Sequence, residues 1–204
     1  MKQVCELRKL TGGRYLVVLE DDSFFPLYGK ELEEFGIHED GPLREEVLLK
    51  ILQELLPKRA KLCAMHFLQS SDRTEHQLRR KLVSLFYPEG IVDEAVAYVK
   101  RFHYIDDVRY AVNYMEYRRD SKSMRQMEQE LYQKGISRES FLEAAQQIDV
   151  PDEEEQIRKW LVKKNYSGTS ADRKEKERMY RFLLRKGYGA SRIQRVLSLE
   201  EAYE

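Results

Sequence analysis

The feature that most constrains the fold of this chain is a weak threefold repeat over about its last 145 residues. Matching apolar positions in the three copies are Leu78, Met127 and Met179, which lie 49 and then 52 residues apart. A repeat of this length is typical of helical solenoids, in which each unit stacks on a neighbour to bury its apolar face. The sequence therefore predicts a binding surface made of stacked units and not a deep catalytic pocket.

Apolar residues recur at every third or fourth position within each unit, which predicts three short helices per unit. The second helix of each unit carries the anchor of the repeat, and Leu78, Leu82 and Leu85 form its first copy. Other positions predicted to face the core of the first unit are Leu62, Met65, Leu68, Ile91, Ala95, Val99 and Phe102.

Glycines mark predicted helix ends at equivalent points of the second and third units. Gly135 and Gly187 each follow a lysine and precede an apolar residue. This arrangement is typical of helix C-caps, in which glycine adopts a left-handed conformation and the next apolar side chain packs back on the helix. In the first unit, Pro88 and Gly90 are predicted to take this role.

Residues 1–57 have a different pattern from the repeat. Turn residues separate three short strand-like runs, which predicts a small antiparallel meander. The predicted strands are Val4–Lys9, Tyr15–Leu19 and Phe24–Leu27. Two helices follow, Lys30–Phe35 ended by Gly36 and Leu43–Leu56 ended by Pro57. Because an isolated sheet of this size is marginally stable, it is expected to pack against the second of these helices.

Together these patterns predict a mainly α-helical chain. We expect a tandem array of three three-helix units, elongated and curved, preceded by a small β-meander and helix. The predicted boundaries are 1–57, 58–105, 106–151 and 152–204. Because the apolar stripe of each unit is covered by the next unit, no stripe is left to form a dimer, and we expect a monomer.

The net charge of zero hides a strong asymmetry along the chain. Residues 157–199 contain 13 Lys and Arg but only 3 Asp and Glu, which gives a net charge of +10. Such a block is typical of a surface that binds a polyanion, although single charges in a highly charged chain commonly lie on solvated helix faces. The candidate contact residues in this block are Arg173, Lys174, Lys176, Arg178, Arg181, Arg185, Lys186, Arg192 and Arg195.

Helical spacing separates these charges from the core. Arg178, Arg181 and Arg185 are predicted to share one exposed flank of a helix, while Met179 points to the core.

The acidic run Asp152–Glu155 lies at a predicted helix start, where negative charge favours the helix dipole and needs no partner. A smaller basic patch, on the equivalent helix of the first unit, consists of Arg73, Arg79, Arg80 and Lys81.

No catalytic or metal-binding constellation stands out in the sequence. Asp106 and Asp107 are adjacent, and we interpret them as the N-cap and a first-turn residue of a helix, because neighbours at a helix start do not converge on one point. The two cysteines and four histidines lack the spacing of metal ligands. We therefore expect no cofactor and no enzymatic activity. No run reaches the roughly 18 apolar residues of a membrane span, and no signal peptide is evident, so a cytoplasmic location is expected.

Three segments of the repeat resemble those of a known family, the RecX regulatory proteins, which modulate the RecA recombinase. Residues 74–82 read Thr-Glu-His-Gln-Leu-Arg-Arg-Lys-Leu, similar to the family's Ser-Glu-x-Glu-Leu-x-x-Lys-Leu segment. Residues 104–111 read Tyr-Ile-Asp-Asp-Val-Arg-Tyr-Ala, similar to Gly-Tyr-Ile-Asp-Asp-x-Arg-Phe-Ala. Residues 129–136 read Gln-Glu-Leu-Tyr-Gln-Lys-Gly-Ile, similar to Glu-Leu-x-x-Lys-Gly-Ile. Three motifs in the family's order are far more specific than one.

The resemblance implies a regulator of DNA repair, recombination and the SOS response that binds along the groove of the RecA nucleoprotein filament and inhibits its ATPase and strand exchange. Arg109, within the second motif, joins the candidate contact residues. The sequence departs from the family at His103, where glycine is usual, and at Ser123 and Gln126, which replace a glycine and an arginine. Two alternatives remain open, a free-standing nucleic-acid binder of single- or double-stranded DNA and a generic helical adaptor.

Overall fold

The computed structural model describes residues 1–149, 152–168 and 171–202, with the backbone alone for residues 199–202. The chain forms two compact units, Met1–Asp106 and Asp107–Glu204. The first holds a small sheet followed by helices, and the second is helical throughout its described part. The four-part division of the sequence is finer than this and stays a prediction.

A four-stranded antiparallel sheet in the order β3-β2-β1-β4 opens the first unit. Its strands are β1 (Lys2–Lys9), β2 (Arg14–Leu19), β3 (Phe24–Tyr28) and β4 (Pro42–Leu43). The predicted meander is thus present, and β4 pairs with the start of β1 as an additional strand. Two residues are too short to show an alternating pattern, so the sequence could not reveal β4. Val17 and its cross-strand neighbour Phe25 are both buried on the inner face of the sheet.

Two helices follow the meander, and the second differs from its prediction. Helix α1 (Gly29–Phe35) ends at Gly36, which has a φ of 61° as a left-handed cap. Helix α2 (Glu45–Lys50) runs through a π-helical turn, Ile51–Leu55, into α3 (Leu56–Gln69).

The prediction that Pro57 ends this helix is wrong. Proline normally breaks a helix because it lacks an N–H and clashes with the carbonyl four residues earlier. Here the Leu56 N–H donates to the Ile51 carbonyl, five residues back, in the wider π turn. This widened geometry immediately before Pro57 lets the helix continue through a buried proline.

Helices α4 (Glu75–Ser84) and α5 (Glu89–Arg101) complete the first unit. One hydrophobic core joins them to the sheet and to the long helix, which confirms the expected packing of the meander. Its members include Val4, Val17, Leu27, Leu48, Ile51, Ala60, Leu78, Leu82, Val96 and Val99. Two predicted core positions are wrong, since Leu62 is 59% exposed and Phe102 is 52% exposed.

The end of α4 also differs from its prediction. Phe86, with a φ of 67°, takes the left-handed position, and the Tyr87 N–H donates to the Leu82 carbonyl at 3.3 Å. Pro88 instead precedes α5 as its N-cap, and Gly90 lies inside that helix. Because a bulky residue rarely adopts this conformation, no sequence pattern predicts the helix end at Phe86.

The described residues of the second unit form six helices in two groups of three. The first group is α6 (Asp107–Arg118), α7 (Met124–Gln133) and α8 (Arg138–Ala145). The second group is α9 (Glu153–Lys163), α10 (Arg173–Arg185) and α11 (Ala190–Ala202). Each group has its own core, centred on Met127 and Leu131 in the first and on Met179 and Leu183 in the second. The predicted fold class, helical units of three helices behind a small sheet region, is confirmed.

Glycine caps close α7 and α10 as predicted. Gly135 and Gly187 both have a φ of 87°. The following residues, Ile136 and Tyr188, are buried, and their N–H groups donate to carbonyls of the preceding helix at 3.0 and 3.3 Å. These are the bonds and apolar contacts of a left-handed helix end.

Candidate functional site

Two helices of the +10 block, α9 and α10, begin at acidic caps. Asp152 accepts a hydrogen bond from the Glu154 N–H at 2.9 Å, and Asp172 accepts one from the Glu175 N–H at 2.7 Å. Each cap satisfies an otherwise unpaired donor at a helix start. The caps fix where α9 and α10 begin, and therefore which side chains of each helix face solvent.

The predicted arginine flank of α10 is exposed. Met179 and Leu183 are buried, while the side chains of Arg178 and Arg181 are 80% and 67% exposed. Arg185, one turn further on, is exposed as well. The helical spacing therefore gave the correct division between the core and the solvent face.

Most of this flank is neutralised locally. The Arg178 guanidinium lies 3.9 Å from the Glu175 carboxylate, and the Arg181 guanidinium lies 3.1 Å from the Glu177 carboxylate. Arg173 is 3.6 Å from Glu177 in turn. Lys174 is exposed, and Lys176 is half-buried. An arginine beside a carboxylate contributes less to an outward positive field than its formal charge implies.

Arg192 and Arg195, on α11, pair with the first turn of α9. Arg195 donates to Glu154 at 3.0 Å, and Arg192 donates to Glu153. The interpretation of Asp152–Glu155 as residues that need no partner is therefore wrong for these two glutamates. The pairs join residues about 40 positions apart, a distance along the chain at which sequence spacing gives no signal.

Five side chains at the adjoining ends of α9 and α10 form what we call the lysine–aromatic cluster. Its members are Trp160, Lys163, Lys164, Phe182 and Lys186. The two rings meet edge to face with centroids 5.4 Å apart. Lys163 lies 5.1 Å and Lys186 lies 4.9 Å from the Trp160 centroid, and Lys164 lies 5.1 Å from the Phe182 centroid. Ammonium groups at such distances are attracted to the negative faces of aromatic rings.

Of these five residues, only Lys186 is predicted from the sequence as a contact residue. Lys163 and Lys164 contribute to the charge of the +10 block but are not among the predicted contact residues, and the apolar spacing of their helices predicts Trp160 and Phe182 as core residues. Both rings are in fact half-buried. The available signal was the spacing of three from Trp160 to Lys163, which places the pair on one helix face.

Hydrogen bonds join residues between α6 and α7 to both helices of the cluster, α9 and α10. The Ser123 hydroxyl, fully buried, accepts from the Gln126 N–H at 3.2 Å and donates to the Lys186 carbonyl at 2.7 Å. A Cβ on Gly187 would lie 2.6 Å from the Ser123 oxygen. Gln156, also buried, donates to the Lys122 carbonyl at 3.2 Å. Ser123, a departure from the family pattern, thus caps α7 and binds the end of α10.

The smaller basic patch of the first unit is divided in the same way. Arg79 is 2.8 Å from Glu75 and 2.5 Å from Asp93, and Glu75 also pairs with Lys100 at 2.7 Å. Burial raises the pKa of Glu75, but hydrogen bonds from Lys100 and Arg79 outweigh burial and leave that pKa below its usual value. Arg79 is therefore tied into a local ion-pair network.

The other three predicted residues of this patch differ in exposure. Arg73 is half-buried with its guanidinium 5.0 Å from the centre of the Phe67 ring. Arg80 and Lys81 are exposed on α4. Only the latter two thus present their charge freely to solvent.

The motif around Asp106 lies where the two compact units join in sequence. Helix α6 begins at Asp107, directly after Asp106, which agrees with the predicted helix start. Ile105 is buried, and Arg109 is exposed one turn into the helix. His103 has a φ of 55°, so it takes a left-handed conformation at the position where the family usually has glycine. The loop therefore keeps the backbone that glycine favours.

Within residues 1–149, 152–168 and 171–202, no three His, Cys, Asp or Glu side chains come together as a metal site. Over the same residues, no helix combines the length and apolar character required to cross a membrane.

Three-helix groups in tandem, which follow a small sheet along the chain and have their positive charge concentrated in the last group (α9–α11), define a helical-repeat protein. Two family models match the chain, the first three-helix domain of RecX over residues 60–98 and the third three-helix domain of RecX over residues 152–197. The regulatory protein RecX of Salmonella typhimurium is 33% identical over 144 residues, which cover 65% of this chain and 86% of the relative. The chain belongs to the RecX family of regulatory proteins.

Other relatives extend this similarity to most of the chain. The regulatory protein RecX of Clostridium perfringens is 26% identical over 187 residues, 90% of this chain and 88% of the relative. A crystal structure of regulatory protein RecX matches with a TM-score of 0.63 at 22% identity, covering 96% of this chain and 98% of the other. RecX from Lactobacillus salivarius matches with a TM-score of 0.61 at 21% identity, covering 72% and 97%. These two structures support the fold.

Proposed function

We propose that this chain binds the RecA nucleoprotein filament in the cytoplasm and inhibits its ATPase and strand exchange, without catalysing a reaction itself. The observation that carries the proposal is membership of the RecX family, seen in the 33% identity to a relative of which the chain covers 86%. That relative and the others are named regulatory proteins. Inhibition of the recombinase is what the resemblance to the family implies for this chain.

The distribution of charge supports the proposal. A nucleoprotein filament combines a protein surface with the phosphates of DNA, so its partner benefits from positive charge on part of its surface. The net charge of +10 over residues 157–199 meets that need. A chain with several helical units can also contact more than one filament subunit, which raises the effective affinity.

Titration of the DNA-dependent ATPase of the recombinase with this chain tests the proposal. We expect inhibition below a one-to-one ratio, because one bound chain affects several subunits or a growing filament end. In a parallel reaction without recombinase, the chain should neither hydrolyse nucleotide nor cut DNA. A requirement for one chain per recombinase subunit would refute the proposed mechanism.

Binding measurements separate this function from the alternatives. Affinity is measured for the recombinase, for single-stranded DNA and for the recombinase on that DNA. The filament should bind more tightly than either component, because its surfaces act together. Equal affinity for free recombinase and for filament would instead support a generic adaptor.

A further inference from the structure

The lysine–aromatic cluster holds positive charge that carboxylates do not neutralise. In the part of the chain that the structure describes, Lys163, Lys164 and Lys186 have no Asp or Glu side chain within 4.0 Å. Their ammonium groups lie beside the rings of Trp160 and Phe182. A cation–π contact of this kind contributes about 0.5–1 kcal/mol at an exposed site and leaves the charge available to a second ligand.

Neighbouring arginines of the same unit are in a different state. Arg178 and Arg181 each lie beside a glutamate of their own helix, and Arg195 lies beside Glu154 of α9. An incoming anion must compete with those carboxylates. At the cluster it does not, so the electrostatic gain of binding is larger there for an equal number of cations.

The position of the lysines also has a local cause. Lys163 and Lys164 lie at the C-terminal end of α9, and Lys186 lies at that of α10, where positive charge interacts favourably with the helix dipole. This explains where the residues sit. It does not require the three side chains to converge on one pair of rings, which is the feature that favours a ligand.

Aromatic rings flanked by cations match the chemistry of single-stranded nucleic acid. Its phosphates bind cations, and its unstacked bases contact aromatic side chains without dependence on sequence. A duplex keeps its bases stacked, and an acidic peptide need not carry a base-like ring. Trp160 and Phe182 are both half-buried, so part of each ring is accessible.

We propose that the lysine–aromatic cluster is a contact site for single-stranded nucleic acid, in which the three lysines bind backbone phosphates and the accessible parts of the two rings contact a base. The site requires no recombinase. It therefore goes beyond filament binding, and the two proposals can fail separately.

Trp160 makes this site directly observable. It is the only tryptophan of the chain, so tryptophan emission reports on the cluster alone. Full-length protein is titrated with an oligothymidylate at low salt, and both Trp emission and the anisotropy of a labelled oligonucleotide are followed. We expect the emission to be quenched over the same concentration range in which the anisotropy rises.

A pair of matched variants tests the role of the lysines. One carries Lys163→Gln, Lys164→Gln and Lys186→Gln, and the other carries Arg173→Gln, Arg178→Gln and Arg181→Gln. Both lose three positive charges. The lysine variant should bind the oligonucleotide at least tenfold more weakly, with a salt slope smaller by about 2 if three phosphate contacts are lost. The arginine variant should change less than threefold.

Two outcomes would overturn the proposal. An equal loss in both variants would mean that net charge alone drives binding. Binding of polyglutamate with the same affinity and the same quenching would assign the site to an acidic protein instead. Because Lys186 is half-buried, the double variant Lys163→Gln, Lys164→Gln, altered at exposed positions only, is compared with the double variant Arg178→Gln, Arg181→Gln if the triple lysine variant does not fold.

Discussion

At the scale of single residues, identical formal charges have different surroundings in this protein. Arg181 lies beside Glu177, whereas Lys186 lies beside Trp160 and Phe182. The sequence places Arg181 and Lys186 in the same basic block and does not distinguish their surroundings. The cap residues also differ, since Gly187 faces a buried hydroxyl that Gly36 does not.

Substitution of Gly187 should be more costly than its backbone conformation alone implies. Gly187→Ala places a Cβ in a left-handed conformation, which costs about 1–2 kcal/mol, and within 2.6 Å of the Ser123 oxygen. We expect a loss of at least about 2 kcal/mol in the free energy of unfolding, because the strain of the left-handed backbone adds to the steric overlap of the new Cβ with Ser123. Urea unfolding followed by Trp160 emission measures it.

Gly36→Ala is the control, because that Cβ meets no atom within 4 Å at a φ of 61°. Followed by circular dichroism, this variant should lose only about 1 kcal/mol. Equal losses at the two positions would show that the contact with Ser123 adds nothing.

Glu130 should make stability depend on pH in the acid range. Burial raises its pKa, but hydrogen bonds from Lys122 and Tyr114 outweigh burial and leave that pKa below its usual value. A depressed carboxyl pKa contributes stability that is present above the unfolded pKa of about 4.3 and is lost as the pH falls through the folded pKa. Glu130→Gln should therefore destabilise the protein at pH 7 and much less at about pH 3.

Urea unfolding at the two pH values measures this difference. Glu143→Gln, on the exposed face of α8, is the control and should change stability little at either pH. A Glu130→Gln effect of the same size at both pH values would contradict the assignment.

At the scale of secondary-structure elements, α10 presents the charged flank that the sequence predicted. Reversal of Arg178, Arg181 and Arg185 to Glu should leave the fold nearly intact, since exposed substitutions usually cost within about 0.5 kcal/mol each. It should weaken binding to the recombinase filament and flatten its salt dependence if these charges displace counterions. Filament affinity at several salt concentrations measures both effects.

The control for this variant is reversal of Glu33 and Glu34 to Lys on α1, both exposed. Glu31 is unsuitable because it pairs with Arg59. Unchanged potency and unchanged salt slope in a folded arginine variant would remove α10 from the interface.

Elements with a clear local signal could be predicted from the sequence. The apolar stripe of α10, the caps at Gly135 and Gly187, and the three strands of the meander all follow from spacing and turn residues. Other features depend on geometry that spacing does not encode. The helix continues through Pro57 because a π turn precedes it, and Phe86 adopts a left-handed conformation that is typical of glycine. Lys163 and Lys186, from two different helices, both lie beside the Trp160 ring.

At the scale of the whole molecule, the N-terminal extension and helices α3, α4 and α5 share one core. Removal of residues 1–57 would cut the long helix and expose the faces of Ala60, Leu78 and Leu82. We expect the truncated chain to lose more helical content than the deleted residues carry. Far-UV circular dichroism and amide hydrogen exchange of α4 and α5 test this, and native-like protection of both helices in the truncated chain would contradict it.

Oligomeric state is a second property of the whole molecule. The apolar stripes of the described helices are covered within their own units, so we expect a monomer with a mass of 24.4 kDa. Light scattering after gel filtration at micromolar concentration measures it. A stable particle of two chains would show that another apolar surface is used for association.

The bond from Ser123 to the Lys186 carbonyl has a thermodynamic consequence. In a linear array of repeats, stability is the sum of intrinsic terms for each repeat and coupling terms between neighbours. The Ser123 hydroxyl caps α7 and also donates to the Lys186 carbonyl at the end of α10. It contributes to the coupling term, because unfolding of either repeat breaks the bond between Ser123 and Lys186. Melting of the third repeat therefore weakens the start of α7 in the second, and the two repeats tend to unfold cooperatively.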